Sequence, residues 1–228
     1  MTKNNLFKYL ARKEWVKDFL DGALYCQTLQ YFQTIEENDV QGDSKEGVSV
    51  YQPPTGLQIN NLTTGKSFIL DNYQFESGAV SSRIHTFCMS RTLSEIIAKK
   101  FEAIACVEII DVRQFCTLVE KNLPAGFVLP YVDNRVRIGH RIRYYDPSET
   151  AGNRWALPEL IAISKRQKYA WQQEFRLVFG RTGAFDFEHV NIQLKQSEKG
   201  GASQQETADP VILQMGDISN ICKIHWFQ

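Results

Sequence analysis

The chain reads as an α+β fold on a sheet that leans antiparallel, and three observations lead there. Runs of strand composition outnumber helical periodicities along its length. The most apolar of them, Ile84–Met89, Ala105–Ile110 and Phe175–Phe179, are short and bounded by polar residues or glycine. With 228 residues, 43% of them hydrophobic and 12% aromatic, the chain can bury one substantial core, so we expect a single domain over residues 1–228.

The elements follow in order. Leu6–Leu10 reads as a short aromatic strand. Trp15, Val16, Phe19 and Leu20 recur at helical spacing until Asp21-Gly22 caps the helix. Ala23–Cys26 resumes as an extended segment, and the polar stretch Glu36–Gly47 reads as a loop. Pro53-Pro54, two glycines and Asn60-Asn61 mark turns or a hairpin over 53–66. After the buried strand Ile84–Met89, Thr92-Leu93-Ser94-Glu95 reads as a capping box opening a helix that carries Leu93, Ile97 and Phe101. Trp171–Phe179 reads as polar residues running into a strand that Gly180 ends, and Ile221–Phe227 as the last strand. Residues 111–168 are expected as an insertion and about 196–209 as a mobile loop.

Composition removes several classes. The 26 basic and 26 acidic residues cancel, which argues against a polybasic nucleic-acid binder. No apolar run approaches a membrane span and the N-terminus lacks a signal-peptide pattern, so a cytoplasmic protein without membrane contact is expected. The five cysteines form no C-x-x-C pair, which predicts neither a disulfide framework nor a zinc site; no bound metal is expected. Walker, G-x-G-x-x-G, G-x-S-x-G and H-E-x-x-H patterns do not occur, and the four histidines stand apart in sequence.

Three elements in fixed order rise above this background. They are Phe7-Lys8-Tyr9 before a helix, Phe87 to Glu95 continuing through Ala98 and Phe101 into Cys106–Ile110, and Gln172-Gln173-Glu174 leading into Phe175–Phe179. Their order and spacing resemble the mono-ADP-ribosyltransferase fold family, in its arginine–serine–glutamate branch. The resemblance spans most of residues 6–180. It implies a split antiparallel sheet with flanking helices and NAD as the substrate that donates the ADP-ribosyl group. It also implies an intracellular toxin or phage-defence effector, held in check by an antitoxin partner. By the same resemblance, Lys8 and Tyr9 with Ser90 and Thr92 would bind NAD, and Glu174, Gln172 and Ser90 would carry the chemistry. The sequence departs from the family at Lys8, where the family has arginine, and in Ser90-Arg91-Thr92, whose middle residue differs. Physical chemistry gives Glu174 its part independently. Cleavage of the nicotinamide–ribose bond builds positive charge on the sugar, and a fixed carboxylate beside it stabilises that charge.

A second constellation competes. Arg135, Arg137, Arg141 and Arg143 alternate with apolar residues, and Asp133–Phe185 holds ten basic and five acidic residues, a local excess of five. With Tyr144, Tyr145, Tyr169 or Trp171 as stacking platforms, this predicts a groove for single-stranded RNA or DNA as acceptor. The rival class is a non-catalytic nucleic-acid-binding or assembly module on the same scaffold. A nuclease site from Asp39, Asp43 and Glu46 is a weaker third reading, because Gly42–Gly47 looks like a turn.

Overall fold

The computed structural model describes residues 5–35, 42–149, 152, 155–196 and 209–227. In chain order these form β1 (Leu6–Leu10), α1 (Lys13–Leu20), β2 (Ala23–Thr28), α2 (Leu29–Thr34), β3 (Val48–Tyr51), β4 (Leu57–Asn60), β5 (Ser67–Leu70) and β6 (Tyr73–Gly78). Then come β7 (Ile84–Ser90), α3 (Glu95–Lys100), β8 (Ala105–Ile109), α4 (Val112–Lys121), β9 (Phe127–Val128), β10 (Tyr131–Val132), β11 (Arg135–Val136), β12 (Gly139–Arg141) and β13 (Arg143–Tyr145). The chain closes with α5 (Pro158–Ala162), β14 (Ser164–Arg166), β15 (Glu174–Arg181), β16 (Asn191–Gln196), β17 (Val211–Gln214) and β18 (Cys222–Trp226). No helix among the described residues is long and apolar enough to cross a membrane. The class is α+β, with sheets that are mostly antiparallel.

The main sheet runs β12-β15-β7-β1-β8-β18; β9 also pairs with β15, and β2 pairs with both β7 and β17. One face packs Val16 and Phe19 of α1 and Phe115 and Val119 of α4 against Leu6, Leu10, Phe87, Met89, Val107 and Leu177. Each apolar side chain fully buried in this way contributes about 1.5–3 kcal/mol. Gly22, which ends α1 at φ +91°, has a steric reason as well as a conformational one. A Cβ there would lie 2.0 Å from the Gly216 carbonyl oxygen.

β7 organises the sheet. One edge pairs with β15 from Glu174↔Ser90 through Gly180↔Ile84. The other edge is shared: Phe7 of β1 meets Ser90 at one end, while Gln27 and Thr28 of β2 meet Thr86 and His85 at the other. Between these points β1 and β2 diverge and the sheet splits. The Cys88 carbonyl, facing the gap, accepts a hydrogen bond from Lys8 Nζ at 2.9 Å.

Several expectations need correction. Residues 111–168 are not simply an insertion, because β9 and β12 from this stretch pair with β15 in the main sheet. The cap of α3 is Ser94, whose side chain accepts from the Ile97 N–H, and not Thr92. Leu93 is therefore outside the helix and exposed. Strand β17, paired with β2, follows a stretch read only as loop. Of the loop placed at about 196–209, residues 197–208 lie outside the described residues, as does Asp39 of the nuclease reading.

Candidate functional site

The split opens a cleft of about 630 Å³, lined by Lys8, Ser90, Gln172 and Glu174 among others. Its walls are strongly aromatic, with Phe7, Tyr9, Phe87 and Phe101 near the strands and Trp15 and Tyr25 at exposed positions. Topology explains the convergence. β1, β7 and β15 are adjacent strands, and the pairings Phe7↔Ser90 and Glu174↔Ser90 bring the ends of all three together.

Glu174 opens β15 after a tight corner. Gln172 ends a 3₁₀ turn, and Gln173 takes the left-handed conformation at φ 47°, which is uncommon for a residue with a Cβ. Gln172 therefore precedes the strand and sits in the turn. Its side chain nevertheless faces the site, accepting from Lys165 Nζ at 2.9 Å. Ser90 pins the corner to β7, because its Oγ donates to the Gln172 carbonyl at 2.9 Å. It therefore holds the backbone next to Glu174 and not the carboxylate itself. The Glu174 N–H donates to Tyr144 Oη at 2.8 Å.

Beneath the cleft lies a buried ionic cluster. Arg176 donates from Nε to Glu174 and, through both terminal nitrogens, to Glu46 at 2.6 and 2.9 Å. Lys165 Nζ lies 3.1 Å from Glu174 Oε2 and 3.6 Å from Glu46 Oε2. Next to it Arg166 pairs with Asp43. Burial pushes the Glu174 carboxyl upward, but the charges of Arg176 and Lys165 outweigh it and hold the group well below the usual carboxylate range. Burial likewise pulls the Lys165 ammonium down, and Glu174 and Glu46 more than reverse the shift. Asp43 goes the other way: burial and the nearby Glu46 raise it against the pull of Arg166. Asp43 and Glu46 are thus counterions in a turn. Among the described residues, no group of three or more His, Cys, Asp or Glu side chains is placed to hold a metal ion.

The remaining expected residues separate. Lys8 is half-buried in the split, with its ammonium 4.1 Å from the Phe87 ring centroid, and burial lowers its pKa. Tyr9 lines the cleft, but its hydroxyl is engaged, donating to the Thr92 carbonyl at 2.8 Å and accepting from the Ser94 N–H at 2.7 Å. Thr92 takes part through its backbone and does not line the cleft.

The four arginines do not form one strip. Arg135 is in β11, Arg141 in β12 and Arg143 in β13, which belong to three different sheets. The break comes where the Ile142 N–H donates to the Glu174 carbonyl at 3.1 Å and Arg143 N–H turns away to that of Ile163 at 2.8 Å. Arg137, Arg141 and Arg143 line a separate pocket, with Phe175 in its wall. Side chains alternate along β15, so Phe175 faces away from the cleft that Glu174 lines. Nor are the aromatic residues open platforms: Tyr145 Oη accepts from the Val50 N–H, Tyr169 Oη donates to the Gly42 carbonyl, and Trp171 packs on Phe101 under Lys100.

No family model, no curated protein and no solved structure matches this chain.

Proposed function

We propose that the protein is an NAD-dependent ADP-ribosyltransferase and that the split-sheet cleft holds NAD. The observation that carries this reading is the convergence of Lys8, Ser90, Gln172 and Glu174 on one cleft. These residues come from three sequence elements, each too weak to argue from alone. The cleft's volume, about 630 Å³, lies within the range of small-molecule sites. Its aromatic walls suit the two bases of a dinucleotide. Lys8 supplies a point charge for the diphosphate, without the bidentate fit that an arginine would give.

In this reading Glu174 acts as a fixed anion. It is held ionised, which suits stabilisation of a cationic ribose and not proton transfer. The bond from ribose C1′ to the nicotinamide nitrogen breaks, nicotinamide leaves with the electron pair, and an acceptor atom bonds to C1′ as its proton passes to solvent. Arg176 and Lys165 fix the carboxylate, and Gln172 is a neutral group able to orient the acceptor but not to deprotonate it.

Glu174→Gln tests the reading, because it keeps the shape and removes the charge. Nicotinamide release should fall about a hundredfold to a thousandfold, with circular dichroism unchanged. Equal release by both proteins would remove Glu174 from the mechanism. One observation favours the non-catalytic reading: Glu174 already accepts from two cations, as a structural carboxylate would. No nicotinamide release from either protein, and no thermal shift with millimolar NAD, would leave that reading standing.

A further inference from the structure

We propose that the pocket around the edge strand β12 binds a phosphate ester, its arginines on the phosphate and His140 on a hydroxyl of the attached sugar. The pocket has a volume of about 300 Å³ and is lined by Arg137, Arg141, Arg143, His140, Asp133 and Phe175 among others. That is the lower end of the range for small-molecule sites, enough for a nucleotide-sized fragment.

Two buried polar atoms in this wall lack partners among the described residues, and they are of opposite kinds. His140 is only 1% exposed. Its Nε2 lies 2.9 Å from the Arg137 carbonyl, which can only accept, so Nε2 carries the proton. Nδ1 is then a lone-pair acceptor, and it meets no donor. Burial keeps the ring neutral by lowering its pKa, so Nδ1 remains an acceptor near neutral pH. Arg137 Nε is the converse, a buried donor that meets no acceptor. Buried polar groups are normally satisfied, and an orphaned acceptor and an orphaned donor in residues lining one pocket define the kind of ligand that would satisfy both. It must present a hydroxyl to His140 and an oxygen acceptor to Arg137.

Charge selects the acceptor. Three arginines and one aspartate line the pocket; Asp133 pins Arg143 at 2.6 and 2.7 Å and lies 3.8 Å from Arg137. The excess is positive, and guanidinium groups match phosphate oxygens in geometry. A phosphate on a hydroxyl-bearing sugar meets both demands, whether it comes from a free ribonucleotide or from an RNA chain.

The test is calorimetric titration with AMP, adenosine, inorganic phosphate and a 5′-phosphorylated hexaribonucleotide. AMP or the hexanucleotide should bind and adenosine should not. Saturation by AMP identifies a free nucleotide as the source; binding of the hexanucleotide alone identifies a chain. Arg137→Gln should weaken binding at least tenfold, and Arg141→Gln, at an exposed position, gives the same reading should the first variant fold poorly. Lys8→Ala serves as the control for the cleft and should leave binding unchanged. The proposal is overturned if no phosphorylated compound binds, if the arginine variants bind like the parent, or if Lys8→Ala is the variant that loses the signal. Because the two pockets share no lining residue, this outcome is independent of whether the cleft takes NAD.

Discussion

Replacing Arg176 with methionine should be the most damaging single change to this fold, and its cost should depend on pH in a specific way. Arg176 is 1% exposed and serves Glu46, Glu174 and the Ala162 carbonyl. Without it, two carboxylates that are 2% and 5% exposed share Lys165 as their one cation among the described residues. Removing one partner of a buried ion pair costs about 3–5 kcal/mol. In a chain of this length 1 kcal/mol moves the melting temperature by about 2–4 °C, so a fall of about 6–20 °C is expected. In the parent protein the Glu174 pKa is depressed, so its contribution is present above the unfolded value of about 4.3 and is lost as pH falls below it. In Arg176→Met the largest charge opposing burial is gone, so the carboxyl pKa should move up, and a carboxylate whose folded pKa rises above that value behaves oppositely. It stabilises at low pH and loses that stability as pH rises through its folded pKa. Urea unfolding followed by circular dichroism at pH 7 and pH 5 should therefore show the deficit shrinking at pH 5. A loss under about 1 kcal/mol at pH 7, or a deficit equal at both pH values, would refute the account of the cluster.

Lys8→Ala should raise the apparent Michaelis constant for NAD more than it lowers turnover, and Lys8→Arg should be tolerated; unchanged NAD kinetics would reduce Lys8 to its bond with the Cys88 carbonyl. Glu46→Gln should lower turnover by about tenfold or more with little change in the Michaelis constant, measured by nicotinamide release; an effect on the Michaelis constant alone would place Glu46 outside the chemistry. Gly22→Ala should cost more than about 1 kcal/mol in thermal unfolding, since its φ is positive and the Gly216 carbonyl occupies the space; a neutral result would mean that the turn shifts freely.

The strands at the centre were legible because local sequence decides them. Ile84–Met89 and Ala105–Ile110 are apolar runs that can be satisfied only inside a sheet, and the structure gives them β7 and β8. The segment from Arg135 to Tyr145 shows where this reasoning stops. Its alternation looks like one strand, yet Ile142 is drawn to the Glu174 carbonyl and the chain changes sheets, a tertiary choice that no local pattern encodes. The candidate site was legible in part: Lys8, Ser90, Gln172 and Glu174 share one cleft, while Thr92 and the arginines do not line it. A pairing of Glu174 with Arg176 can be read from their spacing, but the full cluster was missed because Glu46, which completes it, lies 130 residues before Arg176. A signal was present in Phe175-Arg176-Leu177. An arginine within a strand this apolar needs buried acceptors, and two carboxylates, Asp43 and Glu46, sit in the glycine-bounded turn Gly42–Gly47.

The cluster also bears on how a carboxylate held by two cations could stabilise a third. Arg176 and Lys165 orient Glu174 and keep it ionised, but on their own they would leave the group of three with a net charge of +1, opposed to a developing cation on ribose. Glu46 alters that sum. It takes both terminal nitrogens of Arg176 and lies 3.6 Å from Lys165, so two carboxylates now balance two cations. What remains at the cleft is an oriented arrangement in which Glu46 lies 2% exposed beneath and Glu174 opens β15 beside Ser90. Groups fixed before reaction need no reorganisation as charge develops, which is where electrostatic stabilisation is most effective. If the cleft takes NAD as proposed, Glu46 would act through its neighbours as a positioning residue: balancing the two cations, it would free Glu174's charge for the sugar while they keep the carboxylate in place.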